Sequence, residues 1–366
     1  MRKNTAQLLL SALFSAVGTM APFTVTAQTA LQTYRPGSQN DGVVYFLPKT
    51  TLQVIVTTEK TEYMPGDFAA YAQRYLRLTN VSLTPQVSHR ILGVRMRAVA
   101  VADTTKAYQL KLNPKTVAPN VVLSGDGRLL AINTEALTEP VFQPFAAAPK
   151  QPLANPRQFM NEEMLSAGST MKMAELTARE IYDLRENRNL LIKGQADFMP
   201  KDGEQLRLML AQLDQQDAAL TSMFSGTTVR DTAEHIITLS ADAPVDHLVA
   251  FRLSQRLGMV DADDLSGTPY YINIEDLHAV QAPVDDAPAK GKKKQPEAGV
   301  YVNVPGRMRV TLLQSQTLLS QSELPAPQFG NVELLSGELF NKHFTTRLWL
   351  NPVTGAVERL EAEQPK

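Results

Sequence analysis

Two capped helical patterns in succession, between residues 161 and 224, constrain this chain more than any other feature, because the sequence on both sides of them reads as strand. Thr177 and Glu180 form a capping box, in which each side chain satisfies a backbone N–H that the first turn of a helix leaves unpaired. Ile181, Leu184, Leu191 and Ile192 then recur at helical spacing, and Gly194 is placed to end the helix in a left-handed conformation. Asp202 caps a second helix, whose apolar stripe runs through Leu206, Met209, Leu210, Leu213, Leu220, Met223 and Phe224 before Gly226 stops it. The short connection from Gly194 to Lys201 predicts antiparallel neighbours, with one apolar stripe facing the partner helix and a sheet.

Strand signals precede the helices. Val43 to Leu47 is an apolar run ended by Pro48, and Leu52, Val54 and Val56 alternate with Gln53, Ile55 and Thr57. Asp67 is placed to cap a short helix bearing Phe68, Tyr71 and Tyr75. The strand pattern resumes at Arg90, turns at Asp103-Thr104-Thr105 and continues through Tyr108, Leu110 and Leu112. Ser124-Gly125-Asp126-Gly127 lies between two apolar runs. Asp followed by Gly supplies the positive φ of a tight hairpin turn.

After the helices, strands are expected at His235–Leu239, Leu248–Leu253 and Tyr270–Ile274. Others are expected around Val300 and Val302, around Met308, Val310 and Leu312, and around Leu348 and Leu350, with a turn at Asn351–Gly355. Five prolines between residues 139 and 157 mark a linker, since proline removes donors that a central strand needs. Residues 279–299 read as a solvated Lys-rich insertion. The expected fold class is α+β, with β-rich sheets in the N- and C-terminal halves and a central antiparallel helical hairpin. Its units are an N-terminal β-rich domain over 28–138, the linker, and a second domain over 158–366 that includes the hairpin.

The N-terminus has the pattern of an export signal over residues 1–27. Arg2 and Lys3 form a basic start, Leu8–Met20 is apolar, and Val25 and Ala27 offer the small side chains that signal peptidase reads, with cleavage between Ala27 and Gln28. That apolar run is shorter than the roughly 20 residues that span a bilayer, and no longer run follows it. The chain holds no cysteine, which excludes disulfides, thiolate metal sites and a cysteine nucleophile. A formal net charge of −1 with interspersed signs gives no case for nucleic acid as a partner.

Ser169-Thr170-Met171-Lys172 matches the S-x-x-K motif of penicillin-binding proteins and serine β-lactamases, where the amine accepts the proton of the nucleophilic hydroxyl. Tyr271-Ile272-Asn273 and Val353-Thr354-Gly355 resemble that group's second and third motifs and follow in the same order. Val353 stands where the third motif needs a cation, Tyr271 and Asn273 fall on an apparent strand, and the capping box starts the helix beyond Lys172. Glu162, Glu163 and Glu175 read as a solvated acidic stretch and not as a glycosidase pair. The histidines His89, His235, His247, His278 and His343 are scattered without metal-ligand spacing, and Arg179, Arg185, Arg188 and Lys193 read as a solvated helix face. No cofactor fingerprint is present.

Residues 41–56 (DGVVYFLPKTTLQVIV), 167–189 (AGSTMKMAELTAREIYDLRENRN) and 194–214 (GQADFMPKDGEQLRLMLAQLD) together resemble a secreted Bacteroidetes family classed as a domain of unknown function. The resemblance covers nearly all of the chain after its signal, with the segment around Lys292 as a local insertion. It implies a Gram-negative envelope location, periplasmic or outer-membrane associated, and assigns no reaction. The expectation is an exported, non-catalytic module that binds an envelope protein or a glycan, or supports an assembly. The competing class is a serine acyl-transfer hydrolase using Ser169 and Lys172, or another hydrolase.

Overall fold

Alternating apolar residues build the centre of the molecule. In β2 (Val43–Met64) Leu52, Val54 and Val56 are fully buried; in β9 (Thr268–Asp276) Tyr270, Ile272 and Ile274 are; in β10 (Gly299–Gln314) Met308, Val310 and Leu312 are. Side chains two apart share a face, so these three sets form the inner surfaces of two antiparallel sheets packed face to face. A computed structural model describes residues 30–33, 42–111, 120–143, 145–147, 149, 154–200, 202–281, 299–340 and 345–363. The signal sequence with its cleavage point, residues 282–298 of the Lys-rich segment, and His343 lie outside the described residues.

The first sheet has the order β1-β3-β2-β6, with β1 at Ala30–Thr33, β3 at Gln86–Lys111 and β6 at Thr227–Leu239. The second has the order β11-β10-β9-β7-β8, with β7 at Val245–Ser254, β8 at Gly258–Val260 and β11 at Thr317–Ser336. A third sheet, β13-β12-β5-β4, is built from β4 (Val121–Leu123), β5 (Leu129–Ile132), β12 (Thr345–Leu350) and β13 (Val357–Glu363). β2 pairs with β6 and β5 pairs with β12, so strands from both sides of the Pro-rich stretch share sheets. That stretch joins parts of common sheets, where the sequence suggested a passage between two β domains.

Four strands are much longer than their patterns suggest, because bulges let each serve two cores. Pro48 does not end β2: the register steps from Phe46↔Ala107 to Pro48↔Ala102, leaving residues 103–106 of β3 as an extra loop. The missing N–H of Pro48 is harmless at a bulge. Asp103 shapes that loop by accepting from Thr105 N–H at 3.0 Å and from the Thr105 hydroxyl at 2.6 Å. The turn expected at Asp103–Thr105 is therefore a detour within one strand and not a reversal.

β10 and β11 have a matching irregularity, from Val304↔Asn331 to Gly306↔Ala326. Gln328 ties the two bulges together, accepting from Thr50 N–H at 3.1 Å and donating to Thr50 O and Ala241 O at 3.0 Å each. Beyond this waist the same strands enclose a second core of Tyr45, Leu47, Leu110, Val300 and Val302, which the third sheet covers with Leu129, Ile132, Leu348 and Leu350. Asn303 is buried there and donates to Pro48 O at 2.8 Å and Thr354 O at 2.9 Å, pinning the turn at Asn351–Gly355 to β2. Arg128, also buried, donates to Pro352 O at 2.7 Å and to Glu139 at 2.9 Å, so it fixes the same turn and the start of the Pro-rich crossing.

Lys49 meets Asp242 at the waist at 2.7 Å. The hydrogen bond from Lys49, seconded by the Ser240 hydroxyl, holds the Asp242 carboxyl below its ordinary range, and the same bond lifts the Lys49 ammonium above its own. The Asp242 contribution to stability is present above its unfolded value near pH 4 and is lost as pH falls through the depressed folded value; that of Lys49 is lost only as pH rises above about 10. Urea midpoints measured against pH are expected to fall on the acid side, with Asp242→Asn flattening that limb.

The helical hairpin is present, as α3 (Thr170–Lys193) and α4 (Gly203–Ser225), capped by Asp202, Gly194 and Gly226 at the expected places. α3 starts earlier than its capping box implies. Ser169 is the N-cap, while Thr177 is fully buried and donates its hydroxyl back to Met173 O at 2.8 Å. The pair packs on α1 (Ala72–Leu76) and α2 (Glu162–Leu165), in a third core of Phe68, Met164, Ile181, Leu220 and Phe224. Its buried members come from helices and their approaches, not from a sheet, so the hairpin caps the far end of β2 and β6. Asp67 does not cap the short helix at 69–76; it pairs with Arg157 at 3.4 Å. The Arg185 and Arg188 side chains bridge to Asp217 and Asp214 of α4 at 3.0 and 2.6 Å, so this charged face joins the helices.

Candidate functional site

The polar, outward face of the second sheet carries the densest cluster of chemically useful groups. Residues 271, 273 and 275 of β9 and 309 and 311 of β10 alternate with the buried ones and therefore share this face. Register places Arg309 opposite Glu275 on one side and Glu323 on the other, and Thr311 opposite Asn273. The Arg309 guanidinium reaches both carboxylates, at 3.3 and 3.2 Å, while its buried Nε meets no acceptor among the described residues. Cross-strand pairing of this kind fixes side chains that would otherwise be mobile on an open sheet.

A bulge gives this face a wall. β7 skips from Val245↔Ile274 to Leu248↔Ile272, which leaves Asp246 and His247 opposite Asn273. Asn273 Oδ1 accepts from His247 N–H at 2.9 Å, and His247 takes a left-handed φ of 52°, uncommon for a residue with a side chain. At the other rim Asp276 accepts from His278 N–H at 2.8 Å, and His278 has a φ of 48°. Each imidazole sits against its neighbouring carboxylate, His247 Nδ1 on Asp246 at 3.0 Å and His278 Nδ1 on Asp276 at 3.1 Å. The cleft so enclosed has a volume of about 550 Å³. Beside it the His247 ring lies 5.6 Å from the ring of Tyr271.

Chemically, this arrangement offers carboxylate and amide acceptors, a guanidinium donor and a hydroxyl on a rigid surface, with an aromatic pair at its margin. Backbone conformations held away from their preferred regions cluster where a surface is used. Irregular spacing conceals His247 and His278 in the sequence. The signal that would have found them is Asp246-His247 and Asp276-Leu277-His278 flanking the strand that carries Tyr271 and Asn273. Among the described residues, no group of three or more His, Cys, Asp or Glu side chains is gathered as a metal site.

Ser169 and Lys172 do sit at a helix start, three apart. The Ser169 hydroxyl accepts from Lys172 N–H at 3.2 Å, and the Lys172 ammonium is paired with Glu175 at 2.9 Å, half exposed. Of the two other motifs, Tyr271 and Asn273 lie on β9, while Thr354 and Gly355 lie in the turn after β12, against Pro48 and Asn303. The three pieces thus stand on the helical hairpin, the second sheet and the third sheet. Ser169→Ala is expected to lower stability by about 1 kcal/mol through loss of the cap, and a fluorescent penicillin is expected to leave the protein unlabelled; labelling that depends on Ser169 would show otherwise.

Among the described residues no helix is long and apolar enough to cross a membrane. No curated protein and no solved structure matches this chain. Residues 41–358 match the family described as a domain of unknown function (DUF4831), and the chain belongs to that family.

Proposed function

We propose that this protein is an exported, non-catalytic module of the bacterial envelope that binds a glycan in the cleft on the outer face of its second sheet. The observation that carries the reading is the lattice of Glu275, Arg309, Asn273 and Thr311, walled by Asp246 and Asp276. Sugars present many hydroxyls that both donate and accept. A surface with fixed carboxylate acceptors and a guanidinium donor matches them, and the Tyr271–His247 pair gives a pyranose ring an apolar face to lie against. A cleft of about 550 Å³ falls within the range of small-molecule sites. Location in the envelope is supported by the basic and apolar pattern of residues 1–27.

The test is a microarray of bacterial surface glycans probed with the purified mature chain. Saturable retention on at least one glycan is expected, with Arg309→Ala and Asn273→Ala each weakening it at least tenfold. Arg309→Ala removes a half-exposed side chain, so folding should survive. Retention on none of the glycans, or equal retention by the variants, would overturn the proposal.

A further inference from the structure

The helical hairpin leaves part of its own apolar stripe uncovered. The third core takes in α3 only as far as Leu184, and α4 only from Leu213 onward. Before that point the α4 stripe runs through Leu206, Met209 and Leu210, each only half-buried. A stripe of this length on a helix pair is closed by further helices in a four-helix bundle.

The uncovered part forms a groove between the two helices, of about 390 Å³. Leu191, Met209 and Leu213 line it with apolar surface, and Asn187, Gln212 and Gln216 line it with amides. Ala196 of the connecting loop joins them at the tip of the hairpin. Two residues further on, Phe198 is 67 % exposed, the most exposed aromatic side chain among the described residues, and Met199 beside it is exposed as well. The tip thus carries an apolar groove and an apolar knob together.

Charge decides what fits there. No charged residue lines the groove, and the guanidinium groups of Arg185 and Arg188 are taken up by Asp217 and Asp214 of the same hairpin, at 3.0 and 2.6 Å. A partner recognised through charge would find nothing in the groove to pair with. A second copy of this chain needs no such pairing. An amide both donates and accepts, so amides pair with their like, and a formal net charge of −1 sets up little repulsion between copies. In a two-fold interface one patch serves both sides, and a contact from one residue to another is repeated in reverse. A groove and a knob on the same tip meet that condition.

We infer that two copies of this chain associate through the tips of their hairpins. Phe198 of each copy enters the groove of the other against Leu191, Met209 and Leu213, with the amides at the rim. The surface lies on the hairpin and not on the second sheet, so it is independent of the glycan reading.

The test is analytical ultracentrifugation of the purified protein over a range of concentrations, and a reversible dimer is expected. Phe198→Ser, at an exposed position, should weaken the dimer at least tenfold, with an unchanged urea midpoint at a concentration where both proteins are monomeric. Met209→Glu should do the same by placing a charge in the groove, with far-ultraviolet dichroism as the check on its fold. An equimolar mixture of the two variants should associate more tightly than either alone, because Phe198 of the Met209→Glu chain still fits the intact groove of the Phe198→Ser chain. A monomer at every concentration up to about 1 mM would overturn the inference and leave the groove to a helix of another protein. So would a dimer that Phe198→Ser does not weaken, or a mixture that associates no better than the separate variants.

Discussion

Gly330→Ala is expected to prevent folding to the native state, with the protein recovered as aggregate or with its urea transition lost. A Cβ at this position would lie 1.9 Å from Val304 O and 2.5 Å from Gly306 N, both backbone atoms with no side-chain freedom to yield. Gly306 is also tight, its Cβ position being 2.5 Å from Phe329 O. The two glycines let β10 and β11 cross closely where the register slips and the strands pass from one core to the other. The conflict is steric and not a matter of φ, since neither residue has a left-handed backbone. Its cost exceeds the roughly 4 kcal/mol that marks exceptional point mutants. Gly93→Ala is the matched control: another strand glycine, with free space where the methyl would go, expected to shift the midpoint little.

Phe224→Ala should cost about 4 kcal/mol, the range found when a buried aromatic leaves a cavity. Phe224 is fully buried and packs its ring 5.3 Å from that of Phe68, at the point where α4 meets the short helix between β2 and β3. Because the buried members of this core come from helices and their approaches, the damage should fall first on helical far-ultraviolet dichroism. The near-ultraviolet signal of the Tyr45, Tyr108 and Tyr301 cluster in the second core should persist to higher urea. Simultaneous loss of both signals would show that the three cores unfold as one.

What the sequence revealed were features decided by a few adjacent residues. Asp202, Gly194 and Gly226 bound the helices because capping is local, and Asp126-Gly127 made its hairpin because positive φ at Gly127 is a property of the turn itself. The alternation in β9 and β10 was legible because one face is buried and the other wet. β11 was not. Its run contains Pro325 and Pro327 and is largely half-buried, and it is tolerated because β11 lies at the edge of its sheet. The start of α3 was misplaced because Thr177 and Glu180 also occur at capping spacing inside the helix. The cleft on the second sheet was hidden for a different reason: a bulge in β7 and the register of three strands assemble it, and register depends on partners distant in sequence. The Ser169 and Lys172 spacing was visible, but the competing bonds to Lys172 N–H and to Glu175 appear only in three dimensions.

The shared strands also set an order on the birth of the molecule. Tyr45 bonds to Tyr301 across 256 residues, Thr50 to Gln328 across 278 and Arg128 to Pro352 across 224. A nascent chain that has emerged only as far as the helical hairpin has neither β10 nor β12, so the apolar faces of β2 and β5 have nothing to close on. Contacts so remote in sequence make folding slow, since a long loop must be closed before the contact repays it. Completion of the sandwich thus waits for the last strands to leave the ribosome, while β2 and β3 and the helical hairpin have their partners earlier.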